Sequence, residues 1–260
     1  MDEICFSVVS HQHGPLLHGL LEQLGAEPTL HGARLIVTLN QRDEFFDASR
    51  YPTLDLQVIR NVSPKGFGAN HNAAFGHCRS PWFGILNPDL ALVDGEPFTD
   101  MLRRLGDVGS GVPGTTGLLA PRVVRADMEP EDSVRANLTP WSLVKRALGD
   151  RAPLRIRGDA QRGSPFYWVA GMCLLVHANA YRTVGGFDER FFLYCEDYDL
   201  CARLYNAGYA IRLDERARII HEAQRDSHRT WRHLRWHLTS LAKVWASRAF
   251  WRVTLSAASR

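Results

Sequence analysis

Apolar residues along the first third of the chain form short runs, and the segments between them have helical spacing. The runs cover residues 6–10, 35–39, 56–59 and 82–86. After the first run, a set of leucines recurs at the spacing of one helix face: Leu16, Leu17, Leu20, Leu21 and Leu24. Strands that alternate with helices predict an α/β fold, with a mostly parallel central sheet and helices on both faces.

The second half of the chain continues this pattern less regularly. Apolar runs predict strands at residues 118–124, 167–176, around 211 and at 219–220, with Gly171 interrupting the second of them. Helices are predicted at residues 178–184 and 191–206. Residues 126–165 are rich in Arg, Pro, Gly and Asp and have weak periodicity, so they predict an irregular insertion beside the site.

Composition narrows the class of protein. The 260 residues are 45% hydrophobic and 23% charged, which suits one large α/β domain, and a net charge of +3 does not indicate nucleic-acid binding. The five cysteines form no CxxC pair, so they are expected to be reduced. No secretion signal is visible, and no apolar run reaches the ~20 residues that span a bilayer. The expected location is cytoplasmic, either soluble or peripheral on the inner face of the cell membrane.

Candidate chemistry lies where the strands end, because open α/β sheets bind ligands beyond the carboxyl ends of their strands. Asn87-Pro88-Asp89 directly follows the run at 82–86. A carboxylate such as Asp89 can hold a divalent ion that also bridges a diphosphate. The same tripeptide is equally typical of an ordinary turn.

A second acidic cluster, Glu196-Asp197-Tyr198-Asp199, lies among aromatic residues. On a helix Asp199 can pair with Arg203 at the surface, while Asp197 is rotated away from them. Neighbouring aromatic rings could raise a carboxylate pKa toward that of a useful base, or the acids could simply stabilise the start of a helix. His221, at the end of a predicted strand, is either a metal ligand or a hydrogen-bonded structural residue.

Several of these segments resemble the family 2 glycosyltransferases of the GT-A fold, and within them the bacterial rhamnosyltransferase-like branch. The matching segments are residues 6–10, 65–72, 87–89 and 185–203, together with His221. The resemblance implies a GT-A catalytic domain at residues 1–225, followed by a tail at 226–260. It also implies an inverting, metal-dependent transfer of a sugar from a nucleotide-sugar donor.

The resemblance assigns roles to individual positions. Asp197 is implied as the catalytic base, with Glu196 beside it positioning the acceptor or the base. Asp89 and His221 are implied as ligands of Mg²⁺ or Mn²⁺, and Asn87 occupies the position of the first acid in the family's metal motif. Residues implied in nucleotide or substrate binding are Ser10, Gln12, Asn40, Lys65, Gly66, Phe67, Gly68, Asn70, Asn72, Asn87, Trp168 and Gly171.

The donor is less well defined. The family commonly has Val-Asp-Asn after the second strand, whereas this chain has Thr38-Leu39-Asn40, which leaves the nucleobase open. The resemblance favours transfer of L-rhamnose from dTDP-rhamnose to a glycan or polyprenyl-linked acceptor in bacterial surface polysaccharide (O-antigen) synthesis. The alternatives are a UDP-sugar donor, or a nucleotide-sugar-binding domain without turnover, against which the presence of Asp197 argues.

The chain becomes basic and aromatic after His221. Trp231, Leu234, Leu238 and Leu241 form an apolar stripe at helical spacing, with cations such as Arg225 and Arg229 around it. A basic amphipathic helix of this kind can lie on an anionic membrane surface. It can equally pack against the catalytic domain, and both possibilities stay open at this point.

Overall fold

A computed structural model of the chain describes residues 3–93, 97–105, 111–149, 154, 156, 158–221 and 231–258. Its strands are β1 Ile4–Ser10, β2 Arg34–Leu39, β3 Asp55–Arg60, β4 Trp82–Leu86, β5 Leu90–Leu92, β6 Thr116–Val124, β7 Val134–Ala136, β8 Tyr167–Val169, β9 Cys173–His177 and β10 Ala210–His221. Its α-helices are α1 Gly14–Ala26, α2 Phe67–Phe75, α3 Pro97–Leu105, α4 Pro140–Ala147, α5 Ala178–Val184, α6 Glu196–Asn206, α7 Trp231–Ala246 and α8 Arg248–Ala258.

Eight strands form one sheet, in the order β3-β2-β1-β4-β9-β6-β10-β5. The first four are parallel neighbours, as are β6 and β10. Strand β9 runs antiparallel to both β4 and β6, and β5 runs antiparallel to β10. The sheet is therefore mixed, and the predicted parallel arrangement describes the half that β1 to β4 form.

Alternating side chains of β1 show how the sheet fills its two faces. Ile4, Phe6 and Val8 join one apolar cluster with the leucines of α1, whereas Cys5 joins the other cluster, which contains residues of α2, α5 and α6. Successive side chains of a strand point to opposite faces, so one strand contributes to both clusters. Helices on both faces are thereby confirmed. All five cysteines are free and buried.

Two strand predictions differ from the structure. The run at 167–176 is two strands in different sheets, because β8 pairs only with β7 while β9 lies in the central sheet. The chain turns between them, where Met172 N donates to Ala170 O at 2.8 Å. The strands predicted around 211 and at 219–220 are one strand, β10, with a shift in register between Asp214 and Arg218.

The acidic helix begins later than predicted. Helix α6 starts at Glu196, not at residue 191, because Tyr194 and Cys195 have φ angles of 72° and 63° and cannot continue a right-handed helix. The predicted pair of Asp199 and Arg203 is present, with Nε and Oδ2 2.7 Å apart. It lies in the interior and not at the surface, since the Asp199 side chain is only 6% exposed.

The insertion at residues 126–165 is more regular than predicted, because it contains β7 and α4. Thr139 caps α4 by accepting a hydrogen bond from Ser142 N, and Pro140 occupies the first helical turn. Both are typical residues for a helix start. The helix has only eight residues, too few for a strong periodic signal.

The C-terminal residues form two helices that pack on the domain. Phe250 and Val253 of α8 are buried, and Asn206 Nδ2 of α6 donates to Ala249 O at 3.0 Å. Within the part of the chain that is described, no helix combines the length and the hydrophobicity needed to cross a membrane. The expected boundary at 225/226, with Arg225 and Arg229, lies outside the described residues.

We predict that Phe250→Ala destabilises the whole domain. Phe250 is 2% exposed in the core that α6 and α8 share, and truncating such a ring costs about 3–5 kcal/mol. Trp251→Ala is the matched control, because that neighbouring ring is 52% exposed and its loss should cost about 1 kcal/mol or less. Chemical denaturation of both variants measures the difference. Equal stability of the two variants would contradict the observed packing of α8.

Candidate active site

The carboxylate of Asp89 lies against the imidazole of His221. His221 Nε2 is 3.3 Å from Asp89 Oδ2, and His221 Nδ1 is 2.8 Å from Glu131 Oε2. Burial lowers the pKa of His221, but the hydrogen bonds to the two carboxylates outweigh this effect and raise the pKa to about 9. The structure thus brings together the two predicted metal ligands and adds a third residue, Glu131.

Asp89 retains capacity for a further ligand. Its Oδ1 atom is buried and has no hydrogen-bond partner within the described part of the chain. A buried carboxylate oxygen without a partner is costly unless something else satisfies it, and a hard divalent cation would do so. In the same part of the chain no group of three or more His, Cys, Asp or Glu residues could hold a metal ion alone. Asp89 and His221 would therefore hold a cation only if a bound ligand or water supplied the other oxygens of its shell.

Backbone hydrogen bonds connect this cluster to the turn between β8 and β9. Asn87 N donates to Met172 O at 2.9 Å, so the loop that carries Asp89 is fixed to that turn. Ala170 N donates to Ser133 O at 2.7 Å, two residues after Glu131. The turn is thus held on both sides by segments that carry acidic residues of the site.

Gly171, in the same turn, binds the predicted base. Gly171 N donates to Asp197 Oδ2 at 3.0 Å, and Tyr198 N donates to Asp197 Oδ1 at 2.8 Å. Burial raises the pKa of Asp197, while these hydrogen bonds and the charge of Arg135 lower it in part. A half-buried carboxylate with a raised pKa at the start of a helix is chemically suited to accept a proton.

Glu196 has a different environment from Asp197. It is buried, and its Oε2 atom has no hydrogen-bond partner among the described residues. Burial, together with the nearby charge of Asp197, raises the pKa of Glu196 well above its usual range. Glu196 and Asp197 are adjacent at the buried start of α6, and repulsion between two negative charges disfavours the state in which both are ionised. Glu196 therefore keeps its proton more readily than Asp197 does.

The charge of Arg135 acts on Asp197, and the same guanidinium packs on an aromatic ring. The guanidinium of Arg135 lies over the Trp168 ring, 5.1 Å from its centroid, and Trp168 Nε1 donates to Ala136 O at 2.9 Å. Gly171 lies close to the base, since a Cβ atom placed on it would make an ordinary contact with Asp197 Cβ at 3.5 Å. Trp168 and Gly171, both predicted as binding residues, are thereby placed near the base.

A second group of predicted residues lies at the carboxyl ends of β1 to β3. Asn40 Oδ1 accepts from Asn61 Nδ2 at 2.8 Å and from Lys65 N at 2.9 Å. Asn61 Nδ2 also donates to Asn70 Oδ1 at 2.7 Å, and Asn40 Nδ2 donates to Lys65 O at 3.0 Å. This amide network fixes the backbone of Lys65 and leaves its exposed side chain to contact a ligand.

Glu44 organises the loop after β1. Its carboxylate accepts a hydrogen bond from Ser10 Oγ and, at 3.1 Å, one from Gln12 N. Gln12 has a φ of 64°, a left-handed conformation that is uncommon for residues other than glycine. Strained conformations of this kind are often retained at ligand sites, and here the buried carboxylate of Glu44 compensates for the cost.

Asn72 connects α2 to the segment before the acidic helix. Its Oδ1 atom accepts from Tyr181 OH at 2.7 Å and from Phe187 N at 2.9 Å, and its Nδ2 atom donates to Phe187 O. A Cβ atom on Gly68 would be 2.5 Å from Phe187 Cβ, so only glycine permits this approach. Both residues therefore hold α2 close to the segment at 187.

The start of α2 borders an open groove. Phe67 N donates to Phe192 O at 2.9 Å, and a Cβ atom on Gly66 would be 2.8 Å from the same oxygen. The groove has a volume of about 510 Å³ and is lined in part by Lys65, Glu189 and Phe192. Its mixture of charged and aromatic side chains suits a polar ligand such as a sugar.

Three functional candidates were not predicted. Glu131 and Arg135 lie in the segment that was expected to be irregular, and Glu44 follows β2 in a loop. No sequence motif identifies these three residues, because each contacts a partner that is distant in the sequence. The acidic run around Glu131 is the one signal that could have indicated it.

Comparisons with known proteins match this architecture. A sequence profile described as "Glycosyl transferase family group 2" matches residues 150–259. Rhamnosyltransferase WbbL of Escherichia coli (strain K12) is 27% identical over 243 residues, which cover 90% of this chain and 89% of that protein. N-acetylglucosaminyl-diphospho-decaprenol L-rhamnosyltransferase of Mycobacterium tuberculosis is 47% identical over 57 residues, which cover 22% of this chain and 19% of that protein.

A solved structure confirms the fold. GalNAc-T7 with UDP, GalNAc and Mn²⁺ superposes with a TM-score of 0.66 at 10% identity, over 95% of this chain and 48% of that one. The segment at 185–203 and the matching residues at the ends of the strands all belong to this domain. The chain thus has the GT-A fold of this glycosyltransferase, and its sequence is similar to family 2 glycosyltransferases, two of which are named as rhamnosyltransferases.

Proposed function

We propose that the protein transfers a sugar from a nucleotide-sugar donor to a glycan acceptor, with inversion and with the help of a divalent cation. The observation that carries this proposal is the contact between Asp89 and His221, in which one carboxylate oxygen is buried with no partner among the residues that the structure describes. Asp89 has spare capacity for a cation that a diphosphate also binds, and His221 would become a ligand once the cation displaced the proton from its Nε2 atom. The catalytic domain would extend over residues 1–225, with 226–260 as an accessory tail.

Asp89 and His221 would hold the cation, which is Mg²⁺ or Mn²⁺ in our proposal. Mn²⁺ accompanies UDP in the GalNAc-T7 structure, which has the same fold. When bound, the cation neutralises negative charge on the leaving diphosphate. Asn87 lies on the same loop and would contribute an amide oxygen or a water-mediated contact in place of the first acid of the family motif.

Asp197 would act as the base. Its two backbone hydrogen bonds fix the carboxylate without neutralising it, and burial makes it a better proton acceptor. An acceptor hydroxyl that loses its proton to Asp197 can attack the anomeric carbon in a single displacement, which inverts the configuration. Glu196 would support this role by staying protonated, so that no second negative charge lies beside Asp197.

The names of two relatives support our proposal for the donor. Two similar proteins are named as rhamnosyltransferases, so L-rhamnose from dTDP-rhamnose is the first candidate and a UDP-linked sugar the second. Lys65 and the Ser10–Gln12 loop would border the nucleotide at the ends of β1 to β3. One relative acts on a decaprenol-linked sugar, which favours a polyprenyl-linked glycan as the acceptor and surface polysaccharide synthesis as the process.

Release of nucleoside diphosphate tests the proposal. The purified protein is incubated with a panel of dTDP-, UDP- and GDP-linked sugars and a short glycan acceptor, with and without chelator. We expect the fastest release from dTDP-rhamnose, loss of release with chelator, and recovery with Mg²⁺ or Mn²⁺. A chelator-insensitive enzyme would remove the cation from the proposal, and binding without turnover of any donor would favour a non-catalytic domain.

We predict that Asp197→Asn lowers transfer by at least about 10²-fold, because an amide keeps the shape but cannot accept the proton. Donor affinity should stay close to that of the wild type. Glu196→Gln is the comparison variant, and it should retain a larger share of the rate because it preserves a neutral neighbour. Initial rates and calorimetric donor binding measure both effects. If Asp197→Asn keeps more than a tenth of the wild-type rate, Asp197 is not the base.

We predict that Asp89→Ala and His221→Ala each weaken the binding of a nucleoside diphosphate in the presence of Mn²⁺. Each variant removes one of the two ligands, which leaves the diphosphate charge poorly compensated. Calorimetry with and without Mn²⁺ separates the metal-dependent part from direct contacts. Unchanged affinity in both variants would show that the cation binds elsewhere or does not bind.

Glu131 should act as a positioning residue for His221. Its carboxylate accepts from Nδ1, which keeps the proton there and directs Nε2 toward Asp89. Glu131→Ala should weaken Mn²⁺ affinity by about 10- to 100-fold, whereas Glu131→Gln keeps an acceptor and should recover most of it. Glu129→Ala, at a nearby exposed acid, is the matched control. Equal Mn²⁺ affinity of the Glu131→Ala and Glu129→Ala variants would exclude this role.

A further inference from the structure

Helix α4 exposes an apolar ridge. Trp141 is 66% exposed and Leu148, directly after the helix, is 82% exposed, with Val144 exposed between them. Residues three and four apart lie on one face of a helix, so these side chains form one continuous strip. Leu143, on the other face, packs against the core. The exposed strip is thus a separate feature from the face that stabilises the domain.

The hairpin of α7 and α8 exposes a second apolar surface and is bound to the start of α4. Trp231 is 86% exposed, and Leu238 and Trp251 are also exposed. Trp245 Nε1 of α7 donates to Leu138 O at 2.9 Å, and Asn137 Nδ2 donates to Thr254 Oγ1 of α8 at 2.9 Å. Residues 137 and 138 therefore anchor α4 to both helices of the hairpin.

The charged side chains of α4, α7 and α8 are all basic. The sequences of α4, α7 and α8 contain no aspartate or glutamate. Exposed cations accompany the apolar side chains, namely Lys145 on α4, Arg235 on α7, and Arg248 and Arg252 on α8. Tryptophan and leucine beside arginine and lysine suit the interface of a bilayer with anionic headgroups, because both the apolar and the electrostatic contacts are satisfied there.

The same anchor also reaches the acidic helix. Tyr198 OH donates to Asn137 Oδ1 at 2.6 Å, and Tyr198 directly follows Asp197. Asn137 therefore binds α8 through one side-chain atom and the helix of the proposed base through another. A partner that contacts α4 and α8 would therefore bind a surface that is connected through Asn137 and Tyr198 to Asp197.

We propose that α4, together with the hairpin of α7 and α8, docks the protein on an anionic lipid bilayer. The bilayer takes up the exposed tryptophan and leucine side chains, and the cations bind its headgroups. Docking through α4 holds the acidic helix near the membrane, where a lipid-linked acceptor would be presented. The docking itself requires neither donor nor turnover, so it goes beyond the proposed transfer reaction.

Vesicle sedimentation of the full chain tests the proposal. The vesicles contain either phosphatidylcholine alone or phosphatidylcholine with phosphatidylglycerol. We expect binding to the anionic vesicles only, decreasing as salt screens the attraction. Trp141→Ser combined with Leu148→Ser should weaken this binding at least tenfold, since tenfold corresponds to ~1.4 kcal/mol and burying each side chain contributes more than that. Trp251→Ser should weaken it as well.

The matched control combines Phe45→Ser with Val62→Ser, two apolar side chains of similar exposure at 83% and 82% that lie outside these helices. It should bind anionic vesicles as the wild type does. Melting curves must show that each variant is folded, and the α4 variant should keep its rate on a short soluble acceptor. Wild-type protein that ignores anionic vesicles at low salt overturns the proposal, as does an α4 variant that binds like the wild type or a control that loses binding equally.

Discussion

The organisation of the site depends on how its buried carboxylates are compensated. Removing an ionised carboxylate from water is costly unless a positive group or several N–H donors satisfy it. Asp89 and Glu131 share the imidazole of His221, and Asp199 pairs with Arg203. Asp197 accepts hydrogen bonds from two backbone N–H groups, and the charge of Arg135 also acts on it. Asp197 is thus held in place by N–H donors and would remain able to accept a proton, whereas Glu131 and Asp199 hold their partners in position.

The contact between Asp89 and His221 follows from one strand pairing. Strand β5 runs antiparallel to β10 with Leu90 opposite His221, so the residue before Leu90 is brought to the end of β10. Glu131 reaches the same point because Glu131 N donates to Val123 O at the end of β6, the parallel neighbour of β10. Residues far apart in sequence therefore meet at one corner of the sheet. The register of three strands defines the proposed cation site.

The sequence indicates those parts of the molecule whose signal is local. The β4 run at 82–86 and the α5 helix at 178–184 match their predicted bounds, because alternating or helical periodicity is a property of the segment itself. Asp89, the acidic cluster that contains Asp197, and His221 were identified by their positions at the ends of predicted elements, and the resemblance to a family assigned their roles. Their partners Glu131 and Gly171 were not predictable as partners, since both contacts arise from tertiary packing. The left-handed Tyr194 and Cys195 carry no sequence signal either, because glycine usually occupies that conformation.

In our proposal, Asp89 and His221 form the cation site of a nucleotide-sugar transferase. Anomalous scattering from crystals grown with Mn²⁺ and a nucleoside diphosphate locates the ion directly. We predict a manganese peak within ligand distance of the Asp89 carboxylate and His221 Nε2, with the diphosphate oxygens completing its shell and the nucleotide extending toward Lys65. A diphosphate bound with no manganese at Asp89, or a peak elsewhere in the protein, would contradict it.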